Sequence, residues 1–161
     1  MTVVYIGLGS NLDRPIEQVS TAMTELAQLP QSSLARSSSL YRSAPLGPQD
    51  QPDFINAVVK MESALTAPIL LDALRQIEHR HGRTRTLRWG PRTLDLDLLI
   101  YGDLIMDTAN LTLPHPQLAH RNFVLEPLLE VEPGIEVPGL GQAAELYRRL
   151  AAVPLERVTH G

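Results

Sequence analysis

At 161 residues with a formal net charge of -4, the chain is long enough to bury a hydrophobic core as one domain, residues 1–161, without metal or disulfide staples. It has no cysteine, which excludes a thiolate metal site and a cysteine nucleophile. There is no run of about 18 apolar residues and no basic, apolar leader, which predicts a soluble cytoplasmic protein, and the negative charge argues against a general binder of nucleic acid or anionic membrane.

Residues 2–8 are a β-branched run that reads as a strand, closing on a glycine turn at Gly7-Leu8-Gly9-Ser10-Asn11. The third glycine of a dinucleotide fingerprint is missing, so these glycines read as a place where another backbone or a flat ligand comes close. A first helix is predicted from near Asp13 to Pro15, with a capping side chain, proline in the first turn and Glu17 near the positive helix end. Ile16, Val19, Met23 and Leu26 share one of its faces and Pro30 marks its end.

A weaker, serine-rich strand follows over residues 34–42, then a loop with three prolines in ten residues (43–52), stiff enough to shape a pocket. The strand at 54–62 alternates Ile55, Ala57, Val59 and Met61 against Phe54, Asn56, Val58 and Lys60, which puts a ring beside an amide on one face. The second helix is predicted over 66–80, capped by Thr66, with Ile69, Ala73, Leu74 and Ile77 inward and Gly82 at its end.

Lys60 is the one lysine among 14 basic residues, and Arg75, Arg80, Arg83, Arg85, Arg88 and Arg92 crowd into a stretch opposed only by Glu78. An acidic chain with one such segment has a local anion site, because the guanidinium fork suits bidentate contact with phosphate. A flexible, solvated charged loop would give the same pattern. We read residues 82–92 as a lid that orders over a substrate.

From Thr93 onward Leu94, Leu96, Leu98 and Ile100 alternate, so one strand face is apolar and Asp95 and Asp97 share the other. Two residues along a strand span roughly 7 Å, so the carboxylates repel unless a cation sits between them, and Mg²⁺ suits two carboxylates plus substrate phosphates. Salt-bridged aspartates on a half-exposed strand are the structural alternative. Beyond it, Tyr101-Gly102-Asp103 reads as a hairpin turn with 104–106 returning along the strand. Pro114-His115-Pro116 breaks the chain before a helical run holding Arg121 and Phe123, and a last amphipathic helix is predicted over 142–153.

Strand, helix, strand, strand, helix, strand is the ferredoxin-like βαββαβ pattern, an α+β sandwich here extended by a β-hairpin and C-terminal helices. An aspartate pair, an arginine cluster and ring or amide groups (Phe54, Asn56, Trp89, Phe123) point to metal-dependent transfer of a phosphate group to a small aromatic acceptor. No P-loop motif and no nucleophile with a paired base is present.

Arg88-Trp89-Gly90-Pro91-Arg92-Thr93-Leu94-Asp95-Leu96-Asp97 resembles the signature of the 6-hydroxymethyl-7,8-dihydropterin pyrophosphokinases of folate biosynthesis. Gly9-Ser10-Asn11-Leu12, residues 45–52, and Pro114-His115 followed by Arg121 are similar in kind and in order. The resemblance implies ATP and the pterin as substrates, with AMP and the pterin diphosphate as products. It implies that Asp95 and Asp97 hold two Mg²⁺ ions, and that Arg83, Arg92, His115 and Arg121, with Arg85 as a further candidate, hold the phosphates. Asn56 and backbone groups near Ser43 and Leu46 would bond the pterin, Phe54 and Phe123 would sandwich it, and Trp89 would close over it. Leu71, Leu98 and Thr112 would lie near adenine, and the enzyme would be a monomer. A single-stranded RNA binder is the rival, since such sheets stack bases on aromatics, but aromatics are only 4% and no ribonucleoprotein motif is present. A pterin-binding subunit without catalysis is the other, and the aspartate pair speaks against it.

Overall fold

A computed structural model describes residues 1–44, 51–82 and 93–158. In chain order the elements are β1 (Thr2–Ser10), α1 (Pro15–Ala27), β2 (Ser32–Ser37), β3 (Tyr41–Ser43), β4 (Phe54–Ser63), α2 (Ala67–Arg80) and β5 (Asp95–Tyr101). There follow β6 (Met106–Asp107), β7 (Thr112–Leu113), a 3₁₀ turn at Leu118–His120, α3 (Asn122–Val131), β8 (Glu136–Val137), β9 (Gly141–Gln142), α4 (Ala143–Leu150) and β10 (Glu156–Arg157).

The main sheet runs β10-β3-β4-β1-β5, with β2 beside β3 on the same edge of β4, and every pairing is antiparallel. β2 and β3 act as one interrupted strand, so the core is the expected ferredoxin-like βαββαβ arrangement. The interruption sits at Ser38. Its N–H donates to the Val58 carbonyl and its hydroxyl accepts from the Val58 N–H, each over 2.9 Å, so a side chain stands in for a ladder carbonyl and the strand bends.

Helices cover both faces. Val4, Ile6, Ile55, Val59, Leu96 and Leu98 meet Val19 and Leu26 of α1 and Leu70, Leu74 and Ile77 of α2. On the other face Tyr5, Val58, Leu99 and Ile100 meet Leu125 and Leu128 of α3 and Leu146 of α4. Each fully buried Leu or Ile contributes about 1.5–3 kcal/mol of transfer free energy, which is what holds the short C-terminal helices on the sheet.

Several expectations are corrected. Ile100 does not share the face of Leu96 and Leu98: Tyr5 pairs with Ile100 but Ile6 with Leu98, so Leu99 is an extra residue that turns Ile100 toward α3. Ile69 is 55% exposed, because Leu70, Leu74 and Ile77 set the buried stripe of α2. Neither helix has a side-chain cap. Arg14, at φ 62, is the N-cap of α1, while Asp13 offers only its carbonyl to Gln18 Nε2. Thr66 is the N-cap of α2 without a side-chain bond, and Pro68 removes one of the amides that its hydroxyl would have reached.

The chain turns at Gly102, at φ 53, yet does not return along β5; β6 pairs with β7 instead. Among the described residues the outer edge of β5 therefore carries no strand. Gly7 and Gly9 lie inside β1, which continues to Ser10, and not in a turn.

Candidate active site

Residues directly opposite in an antiparallel pair share a face. The register gives two rows across β4, β1 and β5: Asn56, Gly9, Asp95 and Val58, Gly7, Asp97. Asn56, Asp95 and Asp97 thus stand on the α3 side of the sheet, separated by two glycines whose missing side chains leave bare backbone as a floor. A Cβ on Gly9 would lie 3.3 Å from Asn56 Oδ1, and one on Gly7 would lie 3.4 Å from Leu99 Cδ1. At Gly9 this is tighter than an ordinary contact, so glycine suits the close approach of Asn56, whereas at Gly7 it is an ordinary contact with Leu99.

Asn56 is buried, and its Nδ2 donates to the Ser43 hydroxyl over 2.6 Å, which fixes the amide. Ser43 pairs with Phe54 across β3 and β4, so the half-buried ring lies beside both. Asn11, just past β1, donates from Nδ2 to Gln51 Oε1 and to the Pro52 carbonyl, each at 2.9 Å, and so ties the floor to the entry of β4.

The Asp97 side chain is half-buried, and His115 Nε2 stands 3.7 Å from its Oδ1. The His115 N–H donates to the carbonyl of Leu99, the extra residue of β5, over 2.9 Å, so the bulge also anchors this histidine. The Gln117 N–H donates to His115 Nδ1 over 3.2 Å, which leaves the ring proton on Nε2, toward Asp97. Burial pushes the imidazole below its usual pKa; the Asp97 charge opposes this, while Arg121 and Arg75 add to it. Arg121 is the N-cap of α3, with its guanidinium 5.5 Å from the centroid of the Phe123 ring.

Leu71, Leu98 and Thr112 line one cleft of about 180 Å³ with Arg75, Asp97 and His115. The three positions expected near adenine therefore meet two expected near phosphate and metal. Leu46, Arg83, Arg85, Trp89 and Arg92 lie outside the described residues. Sequence reading missed the 108–111 side of the cleft and the placement of Glu78, which is 3% exposed. A signal existed: Glu78 follows Leu74 by four residues, on the inward stripe of α2.

A family model described as 7,8-dihydro-6-hydroxymethylpterin-pyrophosphokinase matches residues 5–133. The chain belongs to this pyrophosphokinase family. The 2-amino-4-hydroxy-6-hydroxymethyldihydropteridine pyrophosphokinase of Haemophilus influenzae is 46% identical over 151 residues, covering 94% of each chain. Its counterpart in Pseudomonas aeruginosa is 46% identical over 155 residues, 96% of this chain and 94% of the relative. Among solved structures, the Plasmodium falciparum HPPK-DHPS wild type with pteroate superposes with a TM-score of 0.72 at 14% identity. That superposition covers 92% of this chain and 42% of that longer one, and it supports the pyrophosphokinase fold.

Proposed function

We propose that this family member transfers the diphosphate group of ATP to the hydroxymethyl group of 6-hydroxymethyl-7,8-dihydropterin, giving AMP and the pterin diphosphate for folate synthesis, and that the glycine floor is where the pterin lies. The observation that carries this is the pair of rows Asn56, Gly9, Asp95 and Val58, Gly7, Asp97, which sets a fixed amide beside two carboxylates over bare backbone. Asn56 and the Ser43 and Leu46 backbone bond the pterin edge, Phe54 and Phe123 stack on it and Trp89 covers it. Leu71, Leu98 and Thr112 flank adenine in the cleft that Asp97 also lines.

In the reaction the hydroxymethyl oxygen forms a bond to the β-phosphorus as the bond from that phosphorus to the α-bridging oxygen breaks; the bridging oxygen leaves with AMP, and the hydroxyl proton passes to solvent. Arg83, Arg85, Arg92 and Arg121 hold and neutralise the phosphate oxygens, and His115 donates from Nε2. Asp95 and Asp97 share one face of β5, and two carboxylates are a donor set that fits a hard cation completing its shell with phosphate and water. Two Mg²⁺ ions held there would neutralise phosphate charge and lower the barrier to attack.

We read the chain as one monomeric domain over residues 1–161 working in the cytoplasm without nucleic acid; among the described residues no helix is long and apolar enough to cross a membrane. The test is formation of AMP from ATP, the pterin and Mg²⁺. Equal amounts of AMP and pterin diphosphate are expected, and AMP no greater than with ATP alone would overturn the reading.

A further inference from the structure

We infer that Glu78 and Arg75 of α2 are positioning residues for the Asp95–Asp97 pair, acting through the backbone of Leu96. β5 is an edge strand, with β1 on one side and, among the described residues, no strand on the other. An open edge leaves N–H and C=O groups unpaired and free to shift. At Leu96 both are taken: its N–H donates to Glu78 Oε2 over 2.8 Å, and its carbonyl accepts from Arg75 Nη1 over 3.1 Å. Arg75 Nη1 also reaches Glu78 Oε1 at 3.1 Å, which closes a ring of two side chains around one peptide segment.

Leu96 is the residue between the two aspartates. Because its polar backbone groups turn outward, those of Asp95 and Asp97 turn inward to Gly9 and Gly7, their register partners. The clamp therefore fixes the strand at the midpoint of the carboxylate pair, and a rotation of β5 there would swing both carboxylates together. The position of Glu78 supports a specific role. It lies on the buried stripe with Leu70, Leu74 and Ile77, where burying a carboxylate is costly and a leucine would pack without that cost. Closing a sheet edge could be done with neutral groups. Holding the spacing of two like charges while a cation binds between them needs a rigid backbone, and groups of this kind behind metal ligands typically contribute 10–100-fold in affinity.

The inference rests on the reading that Asp95 and Asp97 hold Mg²⁺. The test uses the full chain with Mn²⁺ as a paramagnetic stand-in and a non-hydrolysable ATP analogue, with bound metal read by electron paramagnetic resonance. Glu78→Leu is expected to weaken Mn²⁺ binding by about tenfold or more. Glu78→Gln, whose Oε1 can still accept from the Leu96 N–H, is expected to recover most of it. Pterin affinity at saturating metal, set by Ser43, Phe54 and Asn56 on β3 and β4, should not move. If the wild type binds Mn²⁺ and Asp97→Asn does not, yet Glu78→Leu binds as tightly as wild type and only melts at a lower temperature, Glu78 is a plain edge cap and the inference is overturned. If Asp97→Asn binds as the wild type does, the reading of the carboxylate pair falls and the inference with it. Should Glu78→Leu not fold, Arg75→Met decides, read with Mn²⁺ alone because Arg75 also lines the nucleotide cleft: several-fold weaker Mn²⁺ binding supports the clamp, and unchanged binding overturns it.

Discussion

Gly9 and Asn56 are register partners across β1 and β4, and the Asn56 amide oxygen stands 3.3 Å from the point where a Cβ on Gly9 would lie. The amide cannot swing away freely, because its nitrogen is bonded to Ser43. Gly9→Ala should therefore displace Asn56 and raise the floor. The expected loss is about one hydrogen bond to the pterin, roughly 1–1.5 kcal/mol or tenfold in affinity, with nucleotide affinity unchanged. Titration calorimetry with each substrate measures this, and equal losses for both would contradict it.

Asp97 is half-buried and its carboxylate lies in the cleft shared with Leu71 and Thr112. Asp97→Asn keeps the shape and removes the charge. Turnover should fall by roughly 10²–10³ or more, the range for loss of a preorganised electrostatic group, while the melting temperature stays near that of the wild type. AMP release at near wild-type rates would reject a role for this carboxylate in the reaction.

His115 is held by the Leu99 carbonyl and sets Nε2 3.7 Å from Asp97 Oδ1, in the cleft that Leu71 and Thr112 also line. His115→Ala should weaken the ATP complex by about tenfold, the worth of one hydrogen bond to a charged group, with little effect on the pterin. Separate dissociation constants for the two substrates would show this split. A loss confined to the pterin would place the histidine on the wrong substrate.

The parts legible in the sequence were those where one period dominates. The alternation in β4 and the Asp-Leu-Asp-Leu run at the start of β5 gave both the face and the carboxylate pair correctly. The face of Ile100 was not legible, because Leu98, Leu99 and Ile100 are all apolar and any register suits them; the extra residue at Leu99 is set by pairing with β1. Gly7 and Gly9 read as a turn because glycine weakens a strand locally, whereas two flanking strands hold β1 extended through them. Glu78 read as a counter-charge to the arginines, and its pairing with Arg75 agrees; its bond to a backbone amide eighteen residues away was not legible, because no local pattern contains it.

Tyr41 joins β3 to α3, the helix that carries Phe123, through its hydroxyl, which donates to Glu130 Oε1 over 2.6 Å. The Ser39 N–H and hydroxyl donate to the same carboxylate at 2.9 and 2.8 Å. Burial alone would raise the Glu130 pKa, but the bonds from Tyr41 and Ser39, with the nearby Arg157, outweigh it and hold the group below its usual value. The unfolded chain therefore takes up the proton first as pH falls. Stability from this carboxylate is present above the unfolded pKa, about 4.3, and is lost as pH drops through the lower folded value. Tyr41→Phe should cost about 1.5–3 kcal/mol at pH 7, the range for a bond to a charged group, and less near pH 3, where the carboxylate is increasingly protonated. Urea unfolding of both proteins at the two pH values measures the difference, and a penalty that does not shrink in acid would mean that the Tyr41 hydroxyl contributes by packing and not through the charge on Glu130.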